Sequence, residues 1–128
     1  MYKRQTLFGL HRRLRGAVAG HLAALEMTSS LPNKRYGDGL RRLGFGPEVT
    51  RFFDEHVEAD AVHEQIACHD LAGQLAVTEP GLAADILFGA AAALATDGLV
   101  AGHLIESCRA GVSSLRVDSP AAALVGVS

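Results

Sequence analysis

The most informative segment of the chain spans residues 56 to 64 and reads His56-Val57-Glu58-Ala59-Asp60-Ala61-Val62-His63-Glu64. An α-helix advances about 100° per residue, so Asp60 lies about 40° and His63 about 20° to either side of His56. Apolar residues share that face: Val49, Phe52, Phe53, Ala59 and Ala67. Polar groups on a core-facing stripe are costly unless a partner satisfies them.

A metal ion is one such partner, because neutral imidazole and carboxylate groups suit iron, zinc or manganese. The alternative is a solvated face on which His56, Asp60 and His63 pair with neighbouring side chains. The position of the apolar residues on the same face favours the metal. Glu64 borders the stripe, where its carboxylate could accept a hydrogen bond from a metal-bound imidazole.

Length and composition favour a single helical domain. The chain has 128 residues, of which 48% are apolar and 5% aromatic, with 14 glycines. Such a composition favours closely packed helices, and no strand-like alternation of apolar and polar residues is present. The sequence therefore predicts an all-α helical bundle over residues 1–110 and a flexible tail over residues 111–128.

Charge is divided unevenly along the chain. Residues 1–42 hold nine basic and two acidic residues, and residues 43–128 hold three basic and twelve acidic ones. A basic face for an acidic partner is therefore conceivable. Nucleic acid is not an expected partner, because the basic residues lack interleaved aromatic residues and the net charge is −2.

A cytoplasmic location without a membrane partner is expected. The amino-terminal residues are too basic to form the apolar part of an export signal. The longest uncharged run, residues 86–96, is far shorter than the ~20 residues that cross a bilayer. The two cysteines, Cys68 and Cys108, have no metal-binding or redox spacing and are expected to be ordinary buried thiols.

Four helical segments are predicted from the apolar periodicity. They cover Leu7–Ser29, Lys34–Leu43, Pro47 towards Leu75, and Leu82–Arg109. Pro32 should end or kink the first segment, and the third should bend near residues 69–73. The fourth is apolar nearly all round and is expected to be buried.

The first predicted helix carries a single acid, Glu26, on a face shared with small apolar residues and Arg15. This glutamate either pairs with Arg15 or points at a cation. Antiparallel packing of the first and third segments would bring Glu26 opposite the stripe from His56 to His63. Carboxylate metal sites in helical bundles are built in this way, from side chains on facing helices.

Several motifs together resemble one family. They are Gly20–Ser30, Arg35-Tyr36 with Gly39–Gly44, Phe52–Glu64, Asp85–Ala90 and Gly111–Arg116. They are similar to the iron-containing redox enzymes, which belong to the haem-oxygenase-like di-metal oxidases. These proteins have the haem-oxygenase helical fold and carry non-haem iron. The resemblance spans about Leu7 to Arg116.

The resemblance implies Glu26, His56, Asp60 and His63 as ligands of one or two Fe(II) ions, with manganese as an alternative metal. It also implies O₂ and a small-molecule substrate as reactants. Members of the family are longer and contribute a further Glu and His from preceding helices. The chain is therefore expected to correspond to the carboxy-terminal half of the fold, which a homodimer could complete. Whether it is an enzyme stays open.

Two functions follow from the sequence. The first is a non-haem iron redox protein that activates O₂, most simply a fragment of a larger di-iron enzyme. The second is an inactive helical scaffold that docks an acidic partner through its basic amino-terminal half. The position of Glu26 discriminates between them, because a Glu26 far from the stripe, or facing solvent, would favour the scaffold.

Overall fold

A computed structural model describes residues 11–115, and every regular element within that range is helical. The α-helices are α1 (Arg15–Arg42), α2 (Pro47–Gln65), α3 (Gln74–Thr78) and α4 (Ala83–Ala110), with a π-helix at Ile66–Gly73 and 3₁₀ turns at Arg12–Leu14 and Pro80–Leu82. Because α2, the π-helix and α3 follow one another directly, they form one long helix. The predicted all-α class is confirmed. Residues 11–115 contain three long helices, where about four were predicted.

The difference in helix number arises at Pro32, which lies inside α1. The prediction that the first helix ends before a separate short one was wrong. A proline removes one backbone hydrogen bond, but α1 is held on both sides of this position. On the amino-terminal side of Pro32, Glu26 contacts His63. On its carboxy-terminal side, Asn33 donates a hydrogen bond to Asp60. The predicted start of this helix at Leu7 lies outside the described residues.

A tight turn after α1 sends the chain back along itself. Gly44 has a φ of +89°, a left-handed conformation that glycine adopts without steric penalty. The amide of Phe45 bonds to the carbonyl of Leu40, and the amide of Gly44 bonds to that of Arg41, as in a Schellman motif. Pro47 then occupies the first turn of α2, where its missing N–H has no consequence.

Helices α1 and α2 are antiparallel neighbours. Arg41 forms an ion pair with Asp54 near the turn, and this hydrogen bond is the main cause that raises the pKa of Arg41. The rings of Tyr36 and Phe53 lie 5.9 Å apart one helical turn further on. At the far end, buried Ala23 of α1 shares an apolar cluster with two alanines of the π-helix.

The π-helix at Ile66–Gly73 covers the region where a bend was expected near residues 69–73. Its wider turns change the direction in which the following side chains point, without breaking the helix. Ala67 and Ala72 of this segment are buried, and Cys68 packs against them. The helix that began at Pro47 therefore continues to Thr78.

The first part of α4 approaches α1 through glycines. A Cβ atom at Gly20 would overlap the carbonyl oxygen of Ile86, and one at Gly89 would overlap the carbonyl of Ala17. Every buried apolar residue among those described is an alanine. Small residues thus let these helices pack with their backbones nearly in contact.

The expectation that the last helix is buried was wrong for its large side chains. Leu87 is 71% exposed, Phe88 59% and Leu99 77%. Its contacts with α1 use small residues such as Gly89, while Ile86 is partly buried and packs against the cluster that contains Ala23. By length and composition the segment Pro80–Ala110 could cross a membrane, a criterion that core helices of soluble proteins also meet. The location of the protein stays a prediction.

The chain divides into two compact units, Met1–Leu94 and Ala95–Ser128. In the described part of the second unit, α4 ends at Ala110 and Gly111 adopts a φ of +67°. The carbonyl of Ser114 then lies 2.9 Å from Nε2 of His103. Of the predicted tail, residues 116–128 lie outside the described residues, and the predicted boundary at residue 110 stays a prediction.

Candidate metal centre

Three of the four predicted ligands lie together. The ligand atoms of Glu26, Asp60 and His63 are all within 4.8 Å of one another. Nδ1 of His63 lies 3.4 Å from Oε2 of Glu26 and 3.9 Å from Oδ1 of Asp60. Two carboxylates and an imidazole therefore converge between α1 and α2.

The register of the two helices explains this convergence. Because α2 runs back along α1, residues late in α2 face residues early in α1. Asp60 and His63 are three residues apart and share one face of α2, which is the face turned towards Glu26. The antiparallel placement expected from the sequence is the one that the structure shows.

Burial differs sharply among the three residues. Asp60 is 3% exposed, and its Oδ2 accepts a hydrogen bond from Nδ2 of Asn33 at 3.1 Å. The side chain of Glu26 is 21% exposed and that of His63 is 53% exposed. The cluster thus extends from a buried carboxylate to an imidazole at the surface.

The charge of the cluster favours a cation. With His63 neutral, the two carboxylates together carry two negative charges, and the hydrogen bond to Asp60 comes from an uncharged amide. Buried carboxylates are normally paired with a positive charge or coordinate a metal. The donor set thus matches a divalent cation.

The distances also suit a single ion. First-row metals bind oxygen and nitrogen donors at about 2.0–2.2 Å, so two donors of one ion lie at most about 4 Å apart. The separations of 3.4 and 3.9 Å from Nδ1 of His63 fall within that limit. The three ligand atoms lie within 4.8 Å of one another, so the side chains would have to rotate for all three to bind one ion.

His56, the fourth predicted ligand, lies outside this three-residue cluster. Its Nδ1 is 2.6 Å from the carbonyl oxygen of Phe52, and its ring lies against the Phe52 ring with centroids 4.1 Å apart and the planes tilted by 35°. A carbonyl only accepts hydrogen bonds, so Nδ1 carries the proton and Nε2 of the neutral ring keeps a lone pair. This is the arrangement common among metal-binding histidines.

The two remaining predicted site residues, Arg15 and Glu64, are not members of the three-residue cluster. Arg15 is paired with Glu79, so the alternative in which Arg15 pairs with Glu26 is not what the structure shows. Glu64 is partly buried beside His63. Its charge is the second cause, after burial, that raises the pKa of the Cys68 thiol.

An open cleft adjoins the cluster. It has a volume of about 230 Å³, and its lining is mostly apolar: Leu22, Ile66, Ala67 and Leu71, with Glu26 and His63 as the polar members. The cleft could hold a small molecule, or one end of a larger one, beside the carboxylate and the imidazole.

Sequence reasoning missed Asn33, whose amide is the hydrogen-bond donor to Asp60. A signal was present, because Asn33 follows Glu26 by seven residues and so lies on the same face of α1. Because the first helix was expected to end or kink at Pro32, the neighbouring Asn33 was not assigned to the same helix face as Glu26.

A family model described as iron-containing redox enzyme matches residues 4–98, more than half of the chain. The chain belongs to this family. The match includes all three residues of the cluster, and the family predicted from the sequence motifs is confirmed. Searches among curated proteins and solved structures gave no significant match.

Proposed function

We propose that this chain is a non-haem iron redox protein that binds Fe(II) through Glu26, Asp60 and His63. The observation that supports it is the convergence of two carboxylates and an imidazole from facing helices in a member of an iron-containing family. Asp60 is buried and the side chain of Glu26 is 21% exposed, whereas a Glu26 far from the stripe or facing solvent would have favoured the scaffold function.

Each residue has a distinct part in holding the ion. Asp60 supplies a fixed anionic oxygen, because burial and the bond from Asn33 restrict its side chain. Glu26 supplies a second carboxylate, and His63 offers the lone pair of Nδ1. His56 is proposed as a further ligand through Nε2, after a side-chain rotation that would break its present contact with the carbonyl of Phe52.

Fe(II), when bound, supplies the capacity to activate O₂ and to oxidise a substrate nearby. The residues of the cleft determine what can approach. Leu22, Ile66 and Leu71 would bind the apolar part of a small molecule and displace water from the cluster. Mn(II) is expected to compete for the same oxygen-rich donors.

Anaerobic titration with Fe(II) tests the proposal. The purified chain should bind close to one equivalent, and Asp60→Asn and His63→Ala should each weaken binding by about 100-fold or more, because each removes a direct ligand. His69→Ala and Glu58→Gln are matched controls, since both side chains are exposed and lie outside the cluster. Binding by the controls should equal that of the unmodified chain.

The His56→Ala, His63→Ala double variant gives the decisive comparison. Unchanged Fe(II) binding in that variant would exclude the proposed site. A folded chain that binds neither Fe(II) nor Mn(II) would instead favour the inactive helical scaffold.

A further inference from the structure

Asp60 is held by a single neutral side chain of the facing helix. Nδ2 of Asn33 donates to Oδ2 of Asp60 at 3.1 Å, while Oδ1 faces His63 at 3.9 Å. A carboxylate only accepts, so the amide nitrogen of Asn33 is the atom that faces it. One oxygen of Asp60 is thereby fixed, and the other is left directed towards the cluster.

The chemical type of this partner is informative. A buried carboxylate with a purely structural role is commonly neutralised by Lys or Arg. Basic residues are available on α1, but Lys34 pairs with Asp38 and Arg41 pairs with Asp54. The amide of Asn33 binds Asp60 without cancelling its negative charge, which stays available for a cation.

Helix register gives Asn33 and Glu26 a common orientation. They are seven residues apart on α1, about 20° apart around the helix axis. The same face of α1 therefore contributes the carboxylate of Glu26 to the cluster. Two turns later it contributes the amide of Asn33, which donates a hydrogen bond to the carboxylate of Asp60. A rigid helix fixes both relative to α2.

We propose that Asn33 is a positioning residue of the iron site, which fixes Oδ2 of Asp60 so that Oδ1 is presented to the metal. This inference rests on the proposed function. Residues that orient metal ligands in this way typically change metal affinity by about 10- to 100-fold when they are removed. Asn33 itself is not expected to bind the metal.

Asn33→Ala and Asn33→Leu test the inference, the second because it keeps the volume of the side chain if the first fails to fold. Both should bind metal at unchanged stoichiometry with about 10- to 100-fold weaker affinity for Fe(II). The visible absorption of bound Co(II), which depends on the arrangement of its ligands, should also change. Thr28→Val is the matched control, because it removes a hydroxyl on α1 that bonds only to helix carbonyls.

The outcomes separate this inference from the proposed function. If the unmodified chain binds Fe(II), His63→Ala abolishes binding, and both Asn33 variants match the unmodified chain in affinity and Co(II) spectrum, Asn33 has no positioning role. If the unmodified chain binds neither Fe(II) nor Co(II), both proposals fail. An equal loss of affinity in Thr28→Val would also overturn the inference, because it would show a general effect of altering α1.

Discussion

Cys68 shows how the packing next to the candidate site affects reactivity. It lies in the π-helix against Ala23, Ala67 and Ala72, with its Sγ 3.9 Å from the carbonyl of Ala23. Burial, and then the negative charge of Glu64, raise the pKa of this thiol above its ordinary value of 9.0. The thiolate is the reactive form of cysteine, so Cys68 should react slowly near neutral pH.

The expectation that both thiols are buried was wrong for Cys108, which is exposed. Alkylation at pH 8, followed by mass spectrometry, should therefore modify Cys108 well before Cys68. Raising the pH should speed the reaction of Cys68, because the thiolate forms only as the pH approaches its raised pKa. Glu64→Gln should also speed it, since one of the two causes of the shift is removed. Modification of Cys68 first would contradict the packing described for the π-helix.

At the residue scale, the charged candidate ligands were predictable from the sequence. The uncharged residue that donates a hydrogen bond to one of them, Asn33, was not. Spacing placed Asp60 and His63 on one stripe, and the isolated acid Glu26 stood out on its helix. Asn33 has no such pattern, because its importance depends on which residue lies opposite it on α2. The pairing of Arg15 with Glu79 likewise depends on contacts between residues 64 positions apart.

The close contact between α1 and α4 determines how glycine substitutions in these helices change the free energy of unfolding. Gly20→Ala should destabilise the chain by about 1–3 kcal/mol, because the new methyl group would overlap the carbonyl of Ile86 and force the helices apart. Urea denaturation gives the change in the free energy of unfolding.

Gly98→Ala on α4 is the matched control, since nothing lies within 4 Å of the position of its Cβ. This substitution should stabilise the chain by about 0.5–1 kcal/mol, as expected for glycine to alanine inside a helix. Equal effects of the two substitutions would refute the close approach of α1 and α4.

Pro32 gives a second prediction at the element scale. A proline inside a helix costs about 3 kcal/mol relative to alanine, and α1 continues through this position. Pro32→Ala should therefore increase the free energy of unfolding, by about 1–3 kcal/mol in urea denaturation. A loss of stability would show instead that α1 needs the local distortion caused by the proline.

Helix ends with strong local sequence signals were predictable. Which side chains of each helix are buried was not. Gly44 to Pro47 marks the turn between α1 and α2 in both the sequence and the structure. Pro32 wrongly predicted the end of a helix. The stabilisation of α1 by its contacts with α2 outweighs the loss of one backbone hydrogen bond at the proline. The apolar character of α4 did not imply burial, since hydropathy does not specify which surface covers a residue.

At the scale of the whole molecule, metal binding should be coupled to folding. The three cluster residues come from two different helices of the first unit, so an unfolded chain does not present them together. A ligand that binds only the folded state stabilises it by about 2.7 kcal/mol at 100 times its Kd. Such a gain corresponds to a rise in Tm of roughly 10 °C for a domain of about 100 residues.

Thermal unfolding under anaerobic conditions should therefore show a higher Tm with Fe(II) than with a chelator. Asp60→Asn should lose this difference, because the buried carboxylate charge is absent. The control variant Glu58→Gln should keep it. A Tm independent of Fe(II) in the unmodified chain would contradict the coupling.

The all-α class of the described residues and the family were predictable, because both depend on patterns spread over many residues. The number of long helices and the π-helix were not, since each depends on the balance between local preference and contacts elsewhere. Local pattern and distant contacts agree at the cluster of Glu26, Asp60 and His63, on which the proposed iron site depends.

The most direct test is anomalous X-ray diffraction at the iron absorption edge from anaerobic crystals of the chain grown with Fe(II). The account predicts an iron peak bounded by the carboxylates of Glu26 and Asp60 and by Nδ1 of His63, and no such peak in Asp60→Asn crystals. The absence of iron at these three residues in the unmodified chain, or iron bound only elsewhere, would contradict it.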